Sequence, residues 1–194
     1  MLFTLFPILV IIFFYMVYFC VIILNTITSK GDDNMKLEDL RTDSFVLRKL
    51  KDSDKKDLLE VLNDSSVQHY IPGLFSSTLE DLHYIYILSN LNNTLLLVIE
   101  DISSKKVIGV ILAHIDSDLL GYVSYVVHKD FRGKGVMSEA LKIFIRYVYI
   151  NKLARCIQFS VNFNNKSSLQ VMNKLHIPFY YRFFHLSLTE ELPF

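Results

Sequence analysis

Hydrophobic and polar positions divide this chain near residue 35. From Leu5 to Leu24 nearly every position is apolar, and no charged residue occurs between Met1 and Thr28. Past the short polar stretch Ser29 to Asn34, the pattern becomes periodic. Phe45 to Leu50 alternates as a strand does, with successive side chains on opposite faces. Asp52 to Asn63 sets Leu58, Leu59 and Leu62 at helical spacing, with Ser53 or Asp54 able to cap its start. Thr78 to Leu91 repeats the helical pattern through Leu82, Ile85, Tyr86 and Leu88, after the breaker Ile71-Pro72-Gly73. Thr94 to Glu100 and Lys106 to Ile115 are β-rich runs joined by Asp101-Ile102-Ser103-Ser104, a hairpin-like connection. Gly121 to Val127 is another strand. Ser138 to Ile150 is amphipathic, with Leu141, Phe144, Ile145 and Val148 on one face and Lys142 and Arg146 on the other. Cys156 to Val161 predicts a further strand, Asn165 to Leu175 a helix, and Phe179 to Leu186 a last strand. The predicted order is β-α-α-β-β-β-α-β-α-β.

The apolar run at the start has two readings. A stretch of roughly twenty such residues can span a bilayer as a helix. A cleavable signal peptide fits less well, because the apolar core is too long, no basic segment precedes it and no small-x-small site follows. The first basic residues, Lys30, Lys36 and Arg41, come after the run, which places the remainder on the cytoplasmic side and membrane contact at residues 5–24. Alternatively, Met35-Lys36 is the natural start and the run is an over-extended reading frame. The chain is rich in Phe, Ile, Leu, Asn and Lys, which AT-rich codons supply. Either reading divides the chain into an apolar segment (1–28), a linker (29–41) and a domain (42–194).

Charge and cysteine usage narrow the chemistry. Twenty basic and twenty acidic residues balance, so no overall field points to nucleic acid or an anionic surface. Cys20 and Cys156 are too few and too far apart for a disulfide framework. His69, His83 and His114 have no partners at ligand spacing, so no metal is expected.

The most informative stretch is Val123 to Leu141, VSYVVHKDFRGKGVMSEAL. A strand ends at a basic, glycine-rich turn, and an amphipathic segment starts at once. Glycine lets a backbone approach a phosphate without a Cβ in the way. The free N–H groups and the positive dipole end of the new helix then face the anion. Arg132-Gly133-Lys134-Gly135-Val136-Met137 resembles the acetyl-coenzyme A loop of the GNAT superfamily of N-acetyltransferases, and FRGKGVMSEAL is similar to its RimJ/RimL-like branch, which acetylates N-terminal amines of ribosomal proteins. Asn165 to Leu175, NKSSLQVMNKL, resembles a second motif of that branch. Phe45 to Leu50 with Asp52-Ser53-Asp54 resembles its opening strand and first helix cap. The resemblance runs from about Phe45 to Phe184.

That resemblance implies an α/β (α+β) fold, with a central mixed, mostly antiparallel sheet, one splayed parallel pair and flanking helices. It implies acetyl-CoA as co-substrate and a primary amine as acceptor: a protein N-terminal α-amine, or alternatively an aminoglycoside or polyamine. It places the pantetheine arm between the strands Tyr122–Val127 and Cys156–Val161. Val126, Val127, Arg132, Gly133, Lys134, Gly135, Val136, Met137 and Asn165 would hold the coenzyme. Thioester attack needs a neutral amine and a stabilised oxyanion; a backbone N–H at Val126 or Val127 would supply the latter. Ser168 and Tyr125 are the further catalytic candidates. Each has a plainer reading: a helix N-cap for Asn165, a solvated hydroxyl for Ser168, a buried tyrosine with a satisfied hydroxyl for Tyr125. Glu100 is a candidate base or a solvated strand end, and His128 reads as turn packing. Three features depart from the pattern: Met137 in place of Gly or Ala, His176-Ile177-Pro178 in place of Gly-Phe, and only 17 residues after Ile177. The last implies a missing final strand and an open sheet edge, to be completed by a second copy, or else a non-catalytic remnant tethered to the membrane.

Overall fold

The structure is a computed structural model that describes residues 40–70, 89–180 and 183–188, together with Ile85 and Ile87. The apolar segment and most of the helix expected at Thr78–Leu91 lie outside the described residues. All described residues belong to one compact unit, Lys36–Phe194. Among them no helix is long and apolar enough to cross a membrane, and no group of His, Cys, Asp and Glu could hold a metal ion.

The alternating runs form one sheet. Its strands are β1 (Leu40–Arg41), β2 (Phe45–Lys49), β3 (Thr94–Asp101), β4 (Val107–Ile115), β5 (Leu120–Val127), β6 (Cys156–Phe159), β7 (Phe179–Tyr180) and β8 (Phe183–Ser187). They lie in the order β1-β2-β3-β4-β5-β6-β8-β7. Every pair is antiparallel except β5 with β6. The helices are α1 (Lys55–Leu62), α2 (Ser65–Tyr70), α3 (Val136–Ile150) and α4 (Lys166–Lys174).

Leu95 to Ile99 are all buried, so β3 is covered on both faces, as a central strand must be. On one face Leu58, Val61 and Leu62 of α1 pack with Leu96, Val98, Val110 and Val126. The inward stripe of α3, Leu141, Phe144, Ile145 and Val148, is wholly buried. The first helix is entered through a 3-10 turn, Asp52–Asp54. Its cap is Asp54, whose carboxylate accepts the Lys51 N–H at 2.7 Å and both terminal nitrogens of the buried Arg48 at 2.7 and 2.8 Å. Glu100 accepts from Arg48 Nε at 2.6 Å. Its carboxylate is thereby committed to the fold, which removes it as a candidate base.

One element was not expected, and one expectation needs correction. Ser65–Tyr70 is a helix, with Asp64 accepting the Ser66 N–H at 2.8 Å at its start. The sheet also is not short of a strand. β7 and β8 pair antiparallel, and β8 lies between β6 and β7. So few residues suffice because β6 offers only four positions, Cys156 to Phe159, which β8 matches with Phe184 to Ser187. The argument for a strand donated by a second copy, or for a degenerate remnant, loses its premise.

Candidate active site

The cleft follows from how β5 and β6 part. Their pairing runs from Leu120↔Cys156 to Val123↔Phe159, where β6 ends and β5 continues to Val127. The next backbone groups of β5 therefore have no strand beside them. Their direction is set by the other edge. His128 N–H donates to Ile108 O at 2.8 Å, and backbone groups alternate along an antiparallel pair. Those of Val126 are thus turned to β4, and those of Tyr125 and Val127 into the gap. Of the two expected N–H donors, Val127 is the one that faces the gap. The gap opens a cleft of about 360 Å³ between β5, the glycine turn, α2 and α4.

The turn itself is built for a close approach. His128 starts a 3-10 turn (Lys129–Phe131) and accepts the Asp130 N–H on Nδ1 at 3.3 Å, so it packs the turn. Gly133 and Gly135 have φ of +73° and +82°, a region where side chains are strained. Gly135 caps α3, and no side chain caps the helix with it; the first bond inside α3 is Glu139 N–H to Gly135 O at 3.1 Å. The N–H groups of the opening turn have no partner within the helix and carry its positive dipole end. A Cβ on Gly135 would lie 3.4 Å from Lys174 Nζ.

Every expected site residue except Lys134 lines the cleft. Lys134 instead holds its ammonium 5.2 Å from the centre of the Phe131 ring. Arg132 lines the cleft but spends its guanidinium on the protein: Nη1 donates to Ser66 Oγ at 2.8 Å, Nε to Val127 O at 3.3 Å, and Nη2 lies 3.4 Å from Asp64. The Ser66 hydroxyl and, less strongly, Arg132 hold the Asp64 carboxyl below its usual range. Asn165 caps α4, its Oδ1 accepting the Ser168 N–H at 3.1 Å, while still lining the cleft. Met137 is buried against the cleft floor.

Tyr125 lacks the satisfied hydroxyl of its plainer reading. It is packed edge-on against Phe159, and its buried hydroxyl has no hydrogen-bond partner among the described residues. Burial pushes its pKa up to about 12, with the nearby Ser168 hydroxyl opposing. It keeps its proton at neutral pH.

Sequence reasoning missed Lys174, Ser66 and Tyr70, all on the cleft wall. Tyr70 donates to Asn164 O at 3.1 Å, so α2 touches both the α4 side and, through Ser66, the Arg132 side. Asp64 ahead of Ser65–Tyr70 was the available sign of that helix. Lys174 lies in the motif NKSSLQVMNKL, but nothing in the sequence directs it to the cleft.

Glycines with left-handed φ, an uncapped helix start and an unpaired strand edge suit an extended amide chain ending in a pyrophosphate. Comparison with known proteins agrees. Residues 44–177 match the acetyltransferase (GNAT) domain family. Among curated protein sequences none is a significant match. Solved structures share the fold. An acetyltransferase (GNAT family) from Bacillus anthracis is 20% identical, with 79% of this chain and 100% of that chain covered and a TM-score of 0.67. The ribosomal-protein-S5-alanine acetyltransferase from Vibrio fischeri is 21% identical over 72% and 82% of the two chains, TM-score 0.63. The spermidine N-acetyltransferase from Vibrio cholerae, solved with CoA and spermine, is 14% identical over 76% and 98%, TM-score 0.65. This chain belongs to the acetyltransferase (GNAT) domain family and is an acetyl-CoA-dependent N-acetyltransferase.

Proposed function

We propose that the acceptor is the α-amino group of a protein N-terminus and that the cleft beside β5 is the site of transfer. The observation that carries the cleft assignment is the parting of β5 from β6 directly before the glycine turn. Acetyl-CoA supplies an activated acetyl group as a thioester. Toward it, Tyr125 and Val127 offer backbone groups along an open strand edge, as a sheet edge takes an extended peptide. The Val127 N–H is the donor for a carbonyl oxygen gaining negative charge; a fixed donor costs no reorganisation when charge develops. The backbone of the glycine turn, at Gly133 and Gly135, and the start of α3 hold the pyrophosphate. Tyr125 and Ser168, both on the cleft lining, are the hydroxyls available to protonate the leaving thiolate.

The acceptor reading rests on the RimJ/RimL-like wording of FRGKGVMSEAL and NKSSLQVMNKL and on simple acid–base chemistry. An α-amine has a reference pKa near 8 and a lysine near 10.4, so a useful share of the α-amine is already neutral at pH 7. With Glu100 tied to Arg48, a site without a strong base copes better with that substrate. A polyamine is the second reading, favoured by the fold shared with the spermidine N-acetyltransferase. The test is mass spectrometry on peptides incubated with enzyme and acetyl-CoA. Peptides with free N-termini should gain one acetyl group, and the same peptides with blocked N-termini and free lysines should not. Equal labelling of both, or turnover only of spermidine, would overturn the proposal.

A further inference from the structure

Three cations stand around the glycine turn, and their surroundings separate them. Arg132 is bound to Ser66, Val127 and Asp64, so much of its charge and most of its donors are already used. Lys134 faces the Phe131 ring and does not line the cleft. Lys174, at the end of α4, does line it, and its ammonium reaches to 3.4 Å from the Cβ position of Gly135. Among the described residues Lys174 makes no hydrogen bond and no ion pair. The C-terminal end of α4 favours a cation there, but its reach toward Gly135 creates a conflict. Gly135 caps the positive end of α3, so two positive elements from two helices converge on one point. An anion between them relieves that repulsion and takes donors from both.

We propose that Lys174 is the cation that binds the coenzyme's pyrophosphate, in place of the Arg132 and Lys134 that the linear motif suggests. This rests on the reading of the cleft as the acetyl-CoA site. An ammonium on phosphate is a charge-assisted contact, worth about tenfold in affinity at an exposed site, and its contribution weakens with salt.

The test is calorimetric titration of the full chain with coenzyme A at low and moderate salt, for wild type, Lys174→Met, Lys174→Arg and Lys134→Met. Lys174 is exposed, and circular dichroism and melting curves check that each variant is folded. The expected result is about tenfold weaker binding and a flatter salt dependence for Lys174→Met, recovery in Lys174→Arg, and near wild-type binding for Lys134→Met. Wild-type affinity in Lys174→Met, or a larger loss in Lys134→Met, overturns the assignment and leaves the cleft reading standing. A wild-type protein that does not bind coenzyme A overturns both.

Discussion

Substituting Gly135 separates backbone strain from charge. Its φ of +82° costs an L-residue about 1–2 kcal/mol, partly offset by about 0.4–1 kcal/mol from a stiffer unfolded chain. The new Cβ meets only the end of a flexible lysine at 3.4 Å, which can withdraw. Gly135→Ala should therefore lose about 1 kcal/mol of stability and a few-fold in coenzyme A affinity. Gly135→Asp carries the same backbone strain, yet aspartate tolerates left-handed φ better and is a good N-cap, so its stability should equal or exceed that of the Ala variant. Binding should move the other way. A carboxylate about 5 Å from a phosphate repels it by about 1–3 kcal/mol at an effective dielectric between surface protein and water, and it also neutralises Lys174. Titration calorimetry should show the Asp variant binding coenzyme A about ten- to a hundredfold more weakly than the Ala variant, with melting curves showing it no less stable. Equal affinities in the two variants would refute the anion cradle.

Two further predictions concern the fold. Asp54→Asn keeps the side chain's shape but leaves the buried Arg48 with only the Glu100 carboxylate. Breaking such a pair costs about 3 kcal/mol, about 10 °C in Tm for a domain of this size; a loss below about 1 kcal/mol in denaturant titration would show that the bridge adds nothing. At Cys156, burial pushes the thiol from 9.0 up to about 11, with the Leu186 backbone opposing. A raised thiol pKa favours the neutral form in the folded state, so this stabilisation is complete below about pH 9 and lost as pH rises toward 11. Alkylation of Cys156 at pH 8, followed by peptide mass spectrometry, should be about a hundredfold slower in the folded than in the unfolded protein, and equal rates would contradict this account.

The sheet was legible in the sequence because its longer strands are β-rich runs bounded by turn residues. Phe45–Lys49, Thr94–Asp101 and Leu120–Val127 fall within a residue or so of their expected bounds. The glycine turn was legible because left-handed φ has a clear residue preference. Other features carry little local mark. Only Val67 is buried in α2, so no periodicity announces that helix. Phe179 to Leu186 reads as a single strand because Tyr180-Tyr181-Arg182-Phe183 lacks the Gly, Asn or Pro that marks a turn. His176 does take the left-handed turn expected where relatives have glycine, with φ of +51°. Its strain is offset by the helix-ending bonds His176 N–H to Asn173 O and Ile177 N–H to Met172 O, both 3.1 Å. The reach of Lys174 has the same origin: adjacency in sequence points to Lys134, while the packing of α4 against the start of α3 brings Lys174 to 3.4 Å from the Cβ position of Gly135.

The central claim is that acetyl-CoA lies along the open edge of β5 with its pyrophosphate on the glycine turn. Amide hydrogen exchange of the full chain, with and without saturating acetyl-CoA, tests this directly. Slowed exchange should concentrate at Tyr125–Val127 and Gly133–Ser138, where N–H groups face the cleft or begin α3, and should leave the β1–β2 pair unchanged. Binding without protection at those two segments, or with protection confined elsewhere, would contradict the account.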